Sequence, residues 1–161
     1  MTFTLRHLAA SLLALAGATS AAAATEVRFI NPEKFSDLRE IRVLPSNYLA
    51  PIAAHIKALV DKDLPGMSLE VDITDVDLAG EIEPVGPRME MNRVMRSVTW
   101  PRISLRYALK DASGKTVRTG EAQLSDMDYM NNLAGSSSEP LRYELNMLSN
   151  WFRREFVKTK P

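Results

Sequence analysis

The stretch Leu69-Glu70-Val71-Asp72-Ile73-Thr74-Asp75-Val76-Asp77-Leu78-Ala79-Gly80 constrains this chain more than any other. Leu69, Val71 and Ile73 alternate with Glu70, Asp72 and Thr74, the period of a strand with one buried face. If that parity continued, Asp75 and Asp77 would enter the core while Val76 and Leu78 faced water. An unpaired carboxylate is costly to bury, so the register must flip between Ile73 and Val76. A β-bulge or a strand end does this with one extra residue. The stretch therefore predicts a core strand whose acids stay outside, and the other apolar segments read as elements that pack beside it.

Those segments follow in chain order. Glu26-Val27-Arg28-Phe29-Ile30 predicts a short strand that Asn31-Pro32 stops, and Ile41-Arg42-Val43-Leu44 is either a second short strand or an extended lead. Leu49, Ile52, Ala53, Ile56, Leu59 and Val60 form the stripe of an amphipathic helix from Ser46, its N-cap, to about Lys62. Pro51 falls near its first turn or just past it, where a missing N–H costs less than in the helix interior. Pro84, Gly86 and Pro87 make residues 81–87 read as a loop, and residues 88–99 as an extended or irregular approach to Trp100-Pro101.

Ile103, Leu105, Tyr107 and Leu109 alternate with Arg102, Ser104, Arg106 and Lys110, a strand with one apolar and one largely cationic face. Asp111-Ala112-Ser113-Gly114-Lys115 is hairpin-turn chemistry, so Val117 to Ser125 should return antiparallel. Asp126 to Ser138 holds a Met/Tyr cluster and a Gly/Ser-rich run that reads as a mobile loop. Glu139-Pro140 should then open a last helix whose stripe is Leu141, Leu145, Leu148, Phe152 and Phe156, widened by Met147 and Trp151.

The first residues carry a different message. Arg6 and His7 precede an apolar run, Leu8 to Ala16, that is too short to span a bilayer, and Ala21 to Ala24 has A-x-A character. Residues 1–24 are therefore expected to be a secretory signal peptide, cut after Ala24 or after Ala22, leaving residues 25–161 as one domain in the periplasm or outside the cell. Without Arg6, nineteen basic and twenty acidic residues remain, a net charge of minus one, which argues against nucleic acid or an anionic membrane recognised by bulk charge. No later segment approaches membrane-spanning length, and with no Cys the domain must be stabilised by packing alone.

Four phrases together are distinctive: Asn31-Pro32-Glu33-Lys34-Phe35-Ser36-Asp37, Thr74-Asp75-Val76-Asp77-Leu78-Ala79-Gly80-Glu81, Pro101-Arg102-Ile103, and the closing run from Glu139-Pro140-Leu141-Arg142-Tyr143-Glu144 to Trp151-Phe152-Arg153-Arg154-Glu155-Phe156. On these the chain resembles a bacterial family of short secreted proteins known as a domain of unknown function, number three thousand and sixteen. The resemblance implies a single envelope domain and transfers no activity, ligand or catalytic residue.

Chemistry is sparse in the residues themselves. His55 is the one histidine left after processing, and no Ser lies in a G-x-S-x-G turn, so no nucleophilic triad is expected. The glycines are isolated and form no phosphate-cradling loop. Asp72, Asp75, Asp77, Glu81 and Glu83 could offer oxygens to calcium, but not at EF-hand spacing. Met89, Met91, Met95, Met127 and Met130 could offer thioethers to Cu(I) or simply fill gaps.

The favoured reading of the acids is structural: Asp75 or Asp77 accepts hydrogen bonds from loop backbone or pairs with Arg102 or Arg142. Asp75, Asp77, Glu81, Arg102 and Arg142 are therefore the candidate polar cluster, with no catalytic residue, metal ligand or cofactor assigned. The expected fold is α+β in two layers, a mostly antiparallel sheet of about four strands with two helices packed on one face. The expected function is a non-catalytic binding or envelope-accessory domain with a protein or peptide partner, Trp100 being the residue to test. The alternative is a small hydrolase or a calcium- or copper-binding envelope protein.

Overall fold

The computed structural model describes residues 24–37, 46–131 and 139–157. The expected signal peptide, the Ile41–Leu44 segment and the Gly/Ser-rich run at 135–138 lie outside the described residues, apart from Ala24.

The chain opens with β1 (Glu26–Phe29) and a single 3-10 turn (Pro32–Lys34), then forms α1 (Ser46–Asp63) and β2 (Ser68–Asp77). Next come β3 (Glu81–Val85), β4 (Glu90–Val94), β5 (Arg102–Lys110) and β6 (Thr116–Ser125). The last elements are α2 (Arg142–Phe152) and a π-helical turn (Arg153–Val157). The main sheet has four strands in the order β1-β2-β5-β6, and β3 and β4 form a separate two-stranded ribbon. The fold is α+β; β1 pairs with β2 in parallel and every other pairing is antiparallel.

In β2, Leu69, Val71 and Ile73 are fully buried against β5. The ladder then skips: Ile73 faces Leu105, but Asp75 faces Ser104, so Thr74 is the extra residue of a bulge. Beyond it Val76 and Leu78 are buried in place of Asp75 and Asp77, which are only partly covered. On β5, Ile103, Leu105, Tyr107 and Leu109 are buried, as the alternation requires. Gly114, at φ 82°, closes the β5–β6 turn, and Asp111 Oδ1 accepts from the backbone N–H groups of Ser113 and Lys115.

The helices supply the rest of one core. Leu49, Ile52, Ile56 and Val60 of α1, with Met147, Leu148, Trp151 and Phe152 of α2, join the buried side chains of β2 and β5 in a single cluster. Fully burying Leu148 or Phe152 contributes about 1.5–3 kcal/mol each. Phe156 is only partly buried; it packs edge-on against Tyr107 and Trp151, with ring centroids 5.2 and 5.6 Å away. Pro51 sits in the second turn of α1, on its exposed side.

Two expectations are corrected. Residues 81–87 are not a loop, because β3 and β4 pair from Glu81↔Val94 to Val85↔Glu90; the extended alternative for residues 88–99 holds over Glu90–Val94. Pro84 is compatible with that ribbon because a strand with one partner has one edge that needs no donor. Gly86 at φ 74° and Met89 at φ 52° form its turn. The last helix starts at Arg142 rather than at Glu139-Pro140, which forms a preliminary turn closed by Arg142 N–H donating to Glu139 O. In the Met/Tyr cluster that follows β6, Tyr129 is fully buried, and its hydroxyl donates to Arg96 O at 2.8 Å.

Candidate functional site

The bulge at Thr74 gives the end of β2 its chemistry. Asp75, turned away from the core, accepts from Ser36 N–H and Ser36 Oγ–H, both at 2.8 Å, and so ties down the chain after the 3-10 turn. Asp77 pairs with Arg102 across the β2–β5 ladder at 3.4 Å. The Arg102 guanidinium in turn lies 4.7 Å from the centre of the Trp100 ring. Burial pushes the Asp77 carboxyl above its ordinary range, an effect opposed by Arg102 and reinforced by Asp37 and Asp75.

The chain then passes through Leu78-Ala79-Gly80, which is clamped from two sides. Arg93, projecting from β4, donates to Ala79 O at 3.3 Å and Gly80 O at 3.0 Å. The same guanidinium holds Asp37 in a two-pronged pair at 2.9 and 3.4 Å, with side chains only 14% and 13% exposed. From α2, Glu144 Oε1 accepts the Ala79 N–H at 2.7 Å. Gly80 cannot carry a side chain: its φ is 80°, and a Cβ there would lie 2.6 Å from Val94 O.

Glu144 is 2% exposed, and its Oε2 has no hydrogen-bond partner among the described residues. Burial pushes its carboxyl up, and the Ala79 N–H and the Arg93 charge pull it back. It is the one charged side chain within the buried set among the described residues, and it links α2 to the β2–β3 junction.

A cleft lies on either side of Leu78-Ala79-Gly80. One, of about 260 Å³, is lined by Ser36, Asp37, Asp77 and Glu81 with Val98, Trp100 and Arg102. The other, of about 220 Å³, is lined by Tyr48, Leu78, Met95 and Leu141 with Arg93, Arg142 and Glu144. Of the five residues expected to cluster, Asp77, Glu81 and Arg102 line the first cleft and Asp75 supports it through Ser36. Arg142 belongs to the second; it stacks 4.3 Å from the Tyr143 ring centre and donates to Tyr143 Oη.

Sequence reading missed Asp37, Arg93 and Glu144, the three that fasten the junction. For Glu144 a signal existed: it stands three residues after Leu141 and four before Leu148, inside the apolar stripe of its own helix. Arg93 and Asp37 carried none, because a lone charge in a strand or turn is ordinarily solvated.

The remaining chemistry is dispersed. His55 Nε2 lies 2.7 Å from Ser149 Oγ, and that hydroxyl donates its own proton to Leu145 O at 2.9 Å. The imidazole must then be the donor of the pair, so it is not placed to take a proton from Ser149. Burial lowers its pKa. Asp72 is engaged by Arg28 and Arg106, and Glu83 by Arg96. Among the described residues no three His, Cys, Asp or Glu side chains are placed to hold a metal ion. Met95 lines the second cleft, whereas Met89, Met91, Met127 and Met130 are exposed.

Residues 23–154 match a family model described as a protein of unknown function (DUF3016). No curated protein and no solved structure matches the chain.

Proposed function

We propose that this chain, which belongs to the DUF3016 family, is an exported, non-catalytic binding domain that takes a protein or peptide partner in the cleft around Trp100 and Arg102. The observation that carries the reading is the make-up of that cleft's rim. Val98 is 69% exposed, Trp100 is partly exposed, and the Arg102 guanidinium is laid over the indole. Trp and Arg are the side chains most often found at the energetic centre of protein interfaces, and a stacked pair loses little freedom when a partner covers it.

The floor beneath adds specificity. Asp77 and Glu81 present carboxylates beside Arg102, while Arg93 and Glu144 hold the backbone of the junction. A partner with hydrogen-bond donors and an apolar anchor would satisfy both kinds of surface. Export rests on the basic start, short apolar run and Ala-rich junction of the first residues.

The test is quantitative capture from envelope extracts with the wild-type domain and with a Trp100→Ala/Arg102→Ala variant of unchanged melting temperature. The expected result is at least one protein enriched by the wild type and lost with the variant. Identical profiles would refute the cleft as the binding surface. Export is checked by the N-terminal residue of the protein made in its native host, expected at Ala23 or Thr25; a chain retaining residues 1–22 would contradict it.

A further inference from the structure

The outer edge of β6 goes beyond this reading. Among the described residues, β5 is the strand that pairs with β6, which leaves the opposite edge of a ten-residue strand without a ladder. From Arg118 to Ser125 its register is unbroken and the run contains no Pro; of its two charged side chains, Arg118 turns to Glu155 and Glu121 faces outward. Natural sheets usually blunt such an edge with Pro, with charged side chains, above all Lys, or with a bulge, and Glu121 is the one outward-facing charge in this run. Here the register shift is confined to the turn end, before Arg118.

The side chains next to this edge define what would fit. Arg28, Asp72, Arg106 and Glu121 stand in register across the four strands, a row of alternating charge on the face away from the core. Asp72 draws the guanidiniums on both sides, Arg28 at 2.7 Å and Arg106 at 3.8 Å. Glu121, at the end of the row, forms no salt bridge among the described residues, and its neighbours on that face, Thr119 and Gln123, are neutral. On the other face, the flanking positions are Gly120 and Ala122, and Tyr107 fills the space where a Cβ at 120 would be.

We infer that β6 accepts an added strand from another protein: an extended segment with a Lys or Arg opposite Glu121 and apolar residues on either side of it. Main-chain hydrogen bonds to the free edge supply the affinity, and the cation continues the charge row across a fifth strand. A second copy of this chain does not meet the requirement. Strands paired about a two-fold axis would set residues of the same face opposite each other. The outward residues of β6 from Val117 to Ser125 are Val117, Thr119, Glu121, Gln123 and Ser125, with no cation among them.

The probe is the capped peptide Thr-Thr-Val-Lys-Val-Thr-Thr, titrated into the whole mature protein and followed by backbone amide chemical shifts. Shifts should concentrate at 118–125. Affinity should fall about fivefold when the peptide Lys is replaced by Glu, and the preference should invert on Glu121→Lys protein. N-methylating alternate peptide amides on the pairing side should abolish the shifts. Shifts centred elsewhere, equal affinity for the two peptides, or peptide-independent self-association through β6 would each overturn the proposal. Because Trp100 and Arg102 are untouched, a failure here leaves the cleft reading standing, and loss of the cleft reading leaves this one.

Discussion

Glu144 shows how one side chain can tie distant parts of a chain together. It reaches from α2 to the Ala79 N–H while almost fully buried, and that burial raises its affinity for a proton. A carboxyl with a raised folded-state pKa contributes its stability fully below the unfolded value, about 4.3, and loses it as pH rises through the folded value. The melting temperature should therefore contain a component that falls as pH rises above about 4.3. Glu144→Gln keeps an acceptor for Ala79 and should remove that component. His55, whose pKa is lowered by burial, contributes a slope of the opposite sign, so the readout is the difference between variant and wild type across the range. A pH-independent difference would contradict the assignment.

The two ion pairs of the site should differ in the same way. Arg93 and Asp37 are mostly buried, so Arg93→Met, which takes the guanidinium from Asp37 and from the Ala79 and Gly80 carbonyls, should cost about 3 kcal/mol by denaturant unfolding. Arg102 is half exposed, and Arg102→Ala should cost under about 1 kcal/mol. Asp75 and Asp77 could be assigned outward from their strand parity alone. Arg93 and Asp37 could not, because their partners lie in other elements and only the folded chain brings them together.

Among the elements, β2 was the most legible and β3–β4 the least. The polarity reversal between Ile73 and Val76 has few solutions, and the bulge at Thr74 is one of them. Deleting Thr74 should then remove the extra residue and leave strict alternation, with Val76 and Leu78 still inward and Asp75 and Asp77 still outward. The expected outcome is cooperative thermal unfolding for this deletion and for Thr74→Ala, whereas deleting Thr74 and Asp75 together, which turns Val76 outward and Asp77 inward, should abolish it. The β3–β4 ribbon was obscured because Pro84, Gly86 and Pro87 are turn residues, and two strands with no buried face leave no alternation to read. The hairpin β5–β6 announced itself through both its alternation and its turn.

For the whole molecule, packing substitutes for disulfides, since the chain has no Cys. α1, α2, β2 and β5 share one core, and Leu148 is fully buried within it. Leu148→Ala should lower stability by about 2–5 kcal/mol with unfolding still in one transition, measured by circular dichroism in urea. That core carries the Trp100–Arg102 cleft, proposed to bind a polypeptide, at one end of the sheet. That binding is tested most directly by placing a photo-reactive benzoylphenylalanine at position 100 in the native host, with the same group at Lys57, an exposed position on α1, as the control. One discrete adduct is expected from position 100, weakened when Arg102 is also replaced by Ala, and none from position 57. Equal labelling at both positions, or no adduct at 100 in a folded protein, would contradict binding in the cleft.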